Sequence, residues 1–327
     1  MIPPHDRARF MAAASAALLL AGVMALFFFQ SGSGERGVQP KDRKKRVLLI
    51  GIDGCRSDAL AAAEIPHLRE LMARGTVTWD ALAGGIKDTP SQQPTVSGPG
   101  WTSVLCGVWV DKHGVRENKF QNHRLAEFPH FFRRLKEARS DITTAQAASW
   151  PPLEEFILAK AGAGAADRHV LVTQGTHPEK DAQATDTVIA WLRDTAADVT
   201  FLYYINVDET GHALGFSTLN PFYMDAIARV DGQIGRVLAA IRGRAEFADE
   251  DWLTVVTTDH GGRFKDHGGQ SPEERGIFLI ASGGAWPVGK VSADTPGHTV
   301  VPAVIAAHLA IPVRAEWGWE PAWHAGK

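Results

Sequence analysis

The chain has 327 residues, 45% hydrophobic and 22% charged, enough to bury one large core or two ordinary ones, which excludes a disordered or fibrous protein. A formal net charge of −3 gives no general attraction to nucleic acid, and none is expected as a partner. Two cysteines, Cys55 and Cys106, cannot form a disulfide framework, and neither has a Cys or His at metal-ligand spacing; both read as small buried thiols, with one disulfide the alternative in an oxidising compartment.

Arg7 and Arg9 precede an uncharged, mostly apolar run from Phe10 to Phe29. Its length, about 20 residues, is what a helix needs to cross the hydrocarbon core and exceeds the usual secretory segment. Residues 1–30 are therefore expected to be a membrane anchor, with the body outside the cytoplasm, in the periplasm. Ser31 and Ser33 stand where a cleavage site could lie, so a removed signal peptide and a secreted body is the alternative. The basic run Lys41 to Arg46 weighs against that orientation, because it puts more Lys and Arg after the segment than before it. Residues 31–46, with Gly, Ser, Gln and Pro up to Pro40, read as a linker.

From Val47 to the C-terminus the chain reads as one domain. "RVLLIGID", "FLYYINVD", "WLTVVTTD" and "GIFLIAS" are short runs rich in β-branched and aromatic residues, separated by helix-like patterns such as "PHFFRRLKEA" and "MDAIARVDGQIGRVLAAI". Continuous rather than alternating hydrophobicity predicts strands covered on both faces, hence an α/β fold in three layers, α/β/α, around a mainly parallel central sheet. No fixed-period repeat interrupts this pattern.

Three of these runs end on an aspartate: Asp53, Asp208 and Asp259. Ligands of open α/β sheets bind beyond the carboxyl ends of the strands, so three such carboxylates would meet on one rim. A lone strand-end Asp is more often a cap or turn former; the histidines alter the balance. His212 follows Asp208 in "DETGH", His260 follows Asp259 in "TTDHGG", and His267 comes next in "KDHGG". Mixed carboxylate and imidazole donors suit zinc or manganese better than calcium or magnesium. Several carboxylates on one small rim repel one another, and two divalent cations would compensate them. Ser97 opens a helix-like run in "TVSGPGWTSVLCG"; at a helix N-terminus beside a metal its hydroxyl becomes a nucleophile, while the bland alternative is a cap.

The set "VLLIGIDGCRSDAL", "SGPGWTSVLCGVWVDKHGVRENKF", "YYINVDETGHALG", "TTDHGG" and "DHGGQSPEERGIFLIASG" resembles the type I phosphodiesterase/nucleotide pyrophosphatase family of the alkaline phosphatase superfamily, in order from about Val47 to the C-terminal helix. The resemblance implies an alkaline phosphatase-like fold with a small cap region. It implies a two-metal hydrolase of small-molecule phosphate esters acting through a covalent phospho-serine at Ser97. It also implies two ligand sets: Asp53, Asp259 and His260 for the metal that touches Ser97, and Asp208, His212 and His267 for the other. Asn118 in "HGVREN" matches the family's asparagine that binds a phosphoryl oxygen, and Tyr203 matches a base-stacking aromatic. Gly98 and Trp101 are expected to line the substrate, with Gly98 and Gly100 letting it approach the backbone. Trp101 stands where sulfatases of the superfamily need an arginine, which disfavours sulfate esters; the family's other stacking phenylalanine is replaced by Gly98.

Phosphodiesters are the expected substrates, with a phosphomonoesterase the alternative. An inactive membrane-anchored binding protein and an isomerising phosphotransferase are the rival classes. His298 competes with His267 as the third ligand of the second set, and Thr95 competes with Ser97. His113 reads as structural. The segment from Trp150 to Thr185 carries no motif and is expected to form a short cap near the site.

Overall fold

The apolar runs become strands because β-branched and aromatic residues fit a pleated surface packed on both sides. The structure, a computed structural model, describes residues 43–323 apart from positions 285 and 293. The expected anchor, Phe10 to Phe29, and the linker up to position 42 lie outside the described residues. Among the described residues no helix is long and apolar enough to cross a membrane.

Among the described residues eight strands form one sheet: β1 (Lys44–Ile52), β2 (Gly75–Leu82), β3 (Thr144–Ala148), β4 (Arg168–Leu171), β5 (Val199–Tyr204), β6 (Glu250–Thr257), β7 (Gly276–Gly283) and β8 (Lys290–Val291), in the order β4-β3-β5-β1-β6-β7-β2-β8. Neighbours are parallel except that β7 runs against both β6 and β2. The expected mainly parallel sheet is present, with "GIFLIAS" as its reversed member. Strand β1 begins at Lys44, so the end of the expected linker is part of the sheet.

Alternate residues serve opposite faces. Val47, Leu49, Phe201 and Tyr203 join one core with the helices Ser97–Cys106, Phe131–Ala138 and Val301–His308; Leu48, Ile50, Leu202 and Tyr204 join the other with Pro66–Ala73, His177–Asp194 and Pro221–Arg242. This is the three-layer arrangement that both-sided hydrophobicity predicts. Cys55 and Cys106 are buried and free.

Residues 150–185, expected to cap the site, instead build the sheet's flank. Leu153–Leu158 is a π-helical turn that sends Leu153, Ile157 and Leu158 into the first core, β4 pairs with β3 at the edge, and the helix His177–Asp194 begins at a capping box of Thr176 and Glu179. Its polar and Ala-rich surface hides these few buried side chains from a periodicity argument.

At the amino end of the central strands a buried ion network closes the sheet. Arg46 Nε meets Glu250 Oε1 at 3.1 Å and its Nη1 meets Asp198 Oδ1 at 3.2 Å, while Arg244 Nε meets Glu250 Oε2 at 2.9 Å. Arg46 thus belongs to the fold.

Candidate active site

The site lies at the opposite, carboxyl end of β5, β1 and β6, adjacent strands in the sheet. Asp53 directly follows β1 and Asp259 stands just past β6. Gly54, at φ +61°, turns the chain sharply after Asp53, and a side chain there would collide with the Asp208 carboxylate. Asp208 itself is not at a strand end as expected: it lies in the first turn of the helix Asn206–Leu214. The buried Asp181 carboxylate explains the early helix start, accepting hydrogen bonds from Ile205 N at 2.9 Å and Asn206 N at 3.2 Å.

Ser97 is the first residue of the helix Ser97–Cys106, and its side chain caps nothing; the N-cap residue is Val96. Its hydroxyl instead lies 3.4 Å from Asp53 Oδ1 and 3.3 Å from His260 Nε2. Asp53, Asp259 and His260 bring one donor atom each within 4.8 Å of one another, and so do Asp208, His260 and His267. His212 joins the second group: its Nε2 is 3.4 Å from Asp208 Oδ2 and 2.9 Å from His267 Nε2.

The tautomers of the three histidines follow from their backbone partners. Nδ1 of His212 faces the Lys265 carbonyl at 3.0 Å, Nδ1 of His260 that of Gly261 at 2.7 Å, and Nδ1 of His267 that of Thr95 at 2.8 Å. A carbonyl only accepts, so each Nδ1 carries a proton and donates it; in the neutral form of each ring Nε2 is then the lone pair, and the three Nε2 atoms converge. The buried Asp208 Oδ1 and Asp259 Oδ2 have no hydrogen-bond partner among the described residues. Converging Nε2 atoms and orphaned carboxylate oxygens are a costly arrangement that positive charge resolves, from a proton on His212 or from cations. The donor set, nitrogen and oxygen with no sulfur, fits a divalent metal of the zinc or manganese kind.

The electrostatics agree. Burial, with the charge of Asp208, pushes Asp53 up to about 8 against the pull of hydrogen bonds from Tyr203 and Trp101. Burial, with Asp53 and Asp208, holds Asp259 well above the carboxylate range. Burial also raises Asp208, but the bond to His212 and the charges of His260 and His267 outweigh it and hold the group low. Bonding to Asp208 raises His212 to about 9, and burial lowers His260 to about 3. The carboxylates of this cluster cannot all be ionised without added positive charge.

Several expectations change here. Tyr203 does not offer a stacking face: it is fully buried and its hydroxyl donates to Asp53 Oδ2 at 2.5 Å. Trp101 does not line the substrate either; it is fully buried, and its Nε1 donates to the same oxygen at 2.8 Å. Gly98 and Gly100 are buried and admit protein rather than substrate: a side chain at Gly98 would strike the Glu117 carbonyl, and one at Gly100 would strike Asp259. The Gly98 N–H donates to Asn118 Oδ1 at 2.7 Å, which leaves the exposed Asn118 with its amide Nδ2 as the free donor.

The competitors separate by place. The Thr95 hydroxyl donates to the Gly269 carbonyl at 2.9 Å and accepts from Gly268 N at 3.0 Å, fixing the loop that carries His267. His298 is buried against the Trp109 ring at 4.9 Å and is not in either cluster. His113 is buried, bonded to Ser103 Oγ and Val115 N. Asp181, and the carbonyls that orient the histidines, carry no local sequence signal.

The model of the type I phosphodiesterase/nucleotide pyrophosphatase family matches residues 47–270. A bis(5'-adenosyl)-triphosphatase of Bos taurus is 21% identical over 73% of this chain and 52% of its own length. Ectonucleotide pyrophosphatase/phosphodiesterase family member 7 of Homo sapiens is 24% identical over 68% of this chain and 49% of its own length. The chain thus spans about half the length of these curated relatives. Among solved structures, murine ectonucleotide pyrophosphatase/phosphodiesterase 5, an inactive form in complex with AMP, superposes with a TM-score of 0.63 at 14% identity, over 83% of this chain and 96% of that one, a likeness of fold.

Proposed function

The chain belongs to the type I phosphodiesterase/nucleotide pyrophosphatase family, and on that basis we propose that it is a metal-dependent hydrolase of small-molecule phosphate esters, with diesters preferred to monoesters. One observation carries the proposal: a serine hydroxyl that caps nothing stands 3.4 Å from Asp53 and 3.3 Å from His260, beside three converging imidazole Nε2 atoms and two orphaned carboxylate oxygens. Asp53, Asp259 and His260 would hold one divalent cation and Asp208, His212 and His267 the other, zinc by donor type with manganese the alternative. Such cations supply positive charge to the reacting oxygens and favour the ionised form of the nucleophile.

Ser97 Oγ attacks phosphorus in line with the leaving oxygen; the new Oγ–P bond forms as the P–O bond to the leaving alcohol breaks, and water then hydrolyses the phospho-serine. Asn118 Nδ2 donates to a nonbridging oxygen. The diester preference rests on charge. A monoester carries one more negative charge and calls for a further cation at the phosphoryl group, which the Ser97 helix lacks. Arg116 and Lys119 flank Asn118, both exposed, and are the reason a phosphomonoesterase is the second reading. Sulfate esters are disfavoured on a separate ground: Trp101, buried with its Nε1 on Asp53, stands where sulfatases of the superfamily need an arginine. We also assign the domain to the extracytoplasmic side, supported by the apolar run Phe10 to Phe29; fractionation of cells expressing the full chain tests this.

Ser97→Ala should abolish turnover while the protein keeps about two divalent metals per chain by elemental analysis, since all six ligand side chains remain. Thr95→Ala should cost at most about tenfold, recovered by Thr95→Ser, because its hydroxyl only steadies the His267 loop. Full activity in Ser97→Ala overturns the nucleophile. An activated aryl phosphodiester should show higher kcat/KM than the matching monoester, and the aryl sulfate should react poorly. A monoester preference erased by Arg116→Ala or Lys119→Ala would make the enzyme a phosphatase.

A further inference from the structure

Two buried side chains converge on the same oxygen of Asp53. The Tyr203 hydroxyl donates to Oδ2 at 2.5 Å and Trp101 Nε1 donates to it at 2.8 Å, so both lone pairs of Oδ2 are engaged. Oδ1 is the other oxygen, 3.4 Å from Ser97 Oγ and 3.7 Å from His260 Nε2. The donors are themselves held. The two rings meet edge to face with centroids 5.3 Å apart, Phe201 packs 5.9 Å from the indole, and Gly51 of β1 gives the indole room that any side chain would take. Trp101 comes from the same helix as Ser97 and Tyr203 from β5, so the clamp ties the nucleophile's helix and the neighbouring strand to one carboxylate.

We propose that Trp101 and Tyr203 are positioning residues that commit Asp53 to its Oδ1 as the single ligating oxygen of the metal site beside Ser97. The inference rests on the metal-dependent reading above and deepens it. With both donors in place the carboxylate can neither rotate nor present both oxygens to a cation. Without one of them Oδ2 is a buried acceptor with a vacant lone pair, and the carboxylate turns or chelates, in competition with the geometry the site needs.

The test is zinc affinity, read by competition with a chromophoric chelator, for the wild type, Tyr203→Phe, Trp101→Phe and Tyr204→Phe. Tyr204 is the control: the next residue in β5, equally buried, it faces the opposite core and bonds Thr185 Oγ1 at 3.0 Å, so its variant also loses one buried hydroxyl bond. Tyr203→Phe and Trp101→Phe should each weaken one of the two zinc ions by about tenfold and leave the other unchanged. Tyr204→Phe should lower resistance to urea by a similar amount as Tyr203→Phe, with both zinc affinities intact. Equal zinc affinities in Tyr203→Phe and Tyr204→Phe overturn the clamp, as does equal weakening of both ions. A wild-type protein that binds neither zinc nor manganese overturns the metal-dependent reading itself, and the clamp with it.

Discussion

His267 and His298, the two candidates for the third ligand of the second set, are told apart by what their rings touch. His267 has its Nδ1 on the Thr95 carbonyl and its Nε2 3.7 Å from Asp208 Oδ1, whereas His298 is closed in against Trp109. His267→Ala should therefore lose one metal per chain by elemental analysis, and His298→Ala should keep both while losing about 2 kcal/mol of stability through the cavity it leaves. The reverse ranking would reassign the ligand. The histidines proposed as ligands were legible because their motifs are local: "DETGH" spaces Asp208 and His212 by one helical turn, and "TTDHGG" places the Asp and His side by side. Tyr203 was misjudged for a physical reason. In "FLYYI" every residue is apolar or aromatic, so nothing in the run says which of Tyr203 and Tyr204 faces the site, and nothing says that a phenol there meets a carboxylate rather than a base.

At the scale of elements, what positions the site was less legible than the site itself. Strand β3, "TAQAA", has no β-branched run, and β2 is broken by a register shift between Thr78 and Ala81; both owe their strands to the sheet around them. Helix starts were equally concealed, because two of them are capped from unusual places, one by Asp181 from another helix and one by a histidine. The Phe131–Ala138 helix is capped by His130, whose Nδ1 accepts from Phe132 N at 3.1 Å. Nδ1 accepts only in the neutral ring, and burial lowers His130 from 6.5 to about 3. Between those values the unfolded chain binds the proton and the folded one does not, so this contribution is present above pH 6.5 and is lost as the pH falls toward 3. His130→Asn keeps a cap acceptor without a titrating ring. Its stability, from urea unfolding across that window, should depend on pH less steeply than the wild type by about 1.4 kcal/mol per unit. An unchanged slope would mean that His130 is not neutral in the fold.

Across the whole molecule the sheet has two chemically distinct ends. Its carboxyl end collects Asp53, Asp208, Asp259 and the three histidines, a concentration of groups that destabilise one another unless cations compensate them. The amino end has the complementary design, its buried charges paired: Arg46 bridges Asp198 and Glu250, Arg244 holds the other oxygen of Glu250, and Asp198 Oδ2 also takes the N–H and hydroxyl of Thr143 at 2.9 and 3.0 Å. From sequence, the run ending at Arg46 reads as a basic flank, since a partner some 150 or 200 positions away leaves no local trace. Removing Arg46 strips one cation from two buried carboxylates, which keep Arg244, Lys44 and Thr143 as partners but lose part of the compensation for their desolvation, a loss of about 3 kcal/mol. Arg46→Ala should lower the urea midpoint accordingly, with the slope of the transition unchanged. Because the network and the site sit at opposite ends of strands β1 and β6, kcat/KM of the folded fraction toward an aryl phosphodiester should stay at the wild-type value. A fall in kcat/KM without a fall in stability would show that the ion network reaches the site through β1, and that the two ends of the sheet are coupled rather than independent.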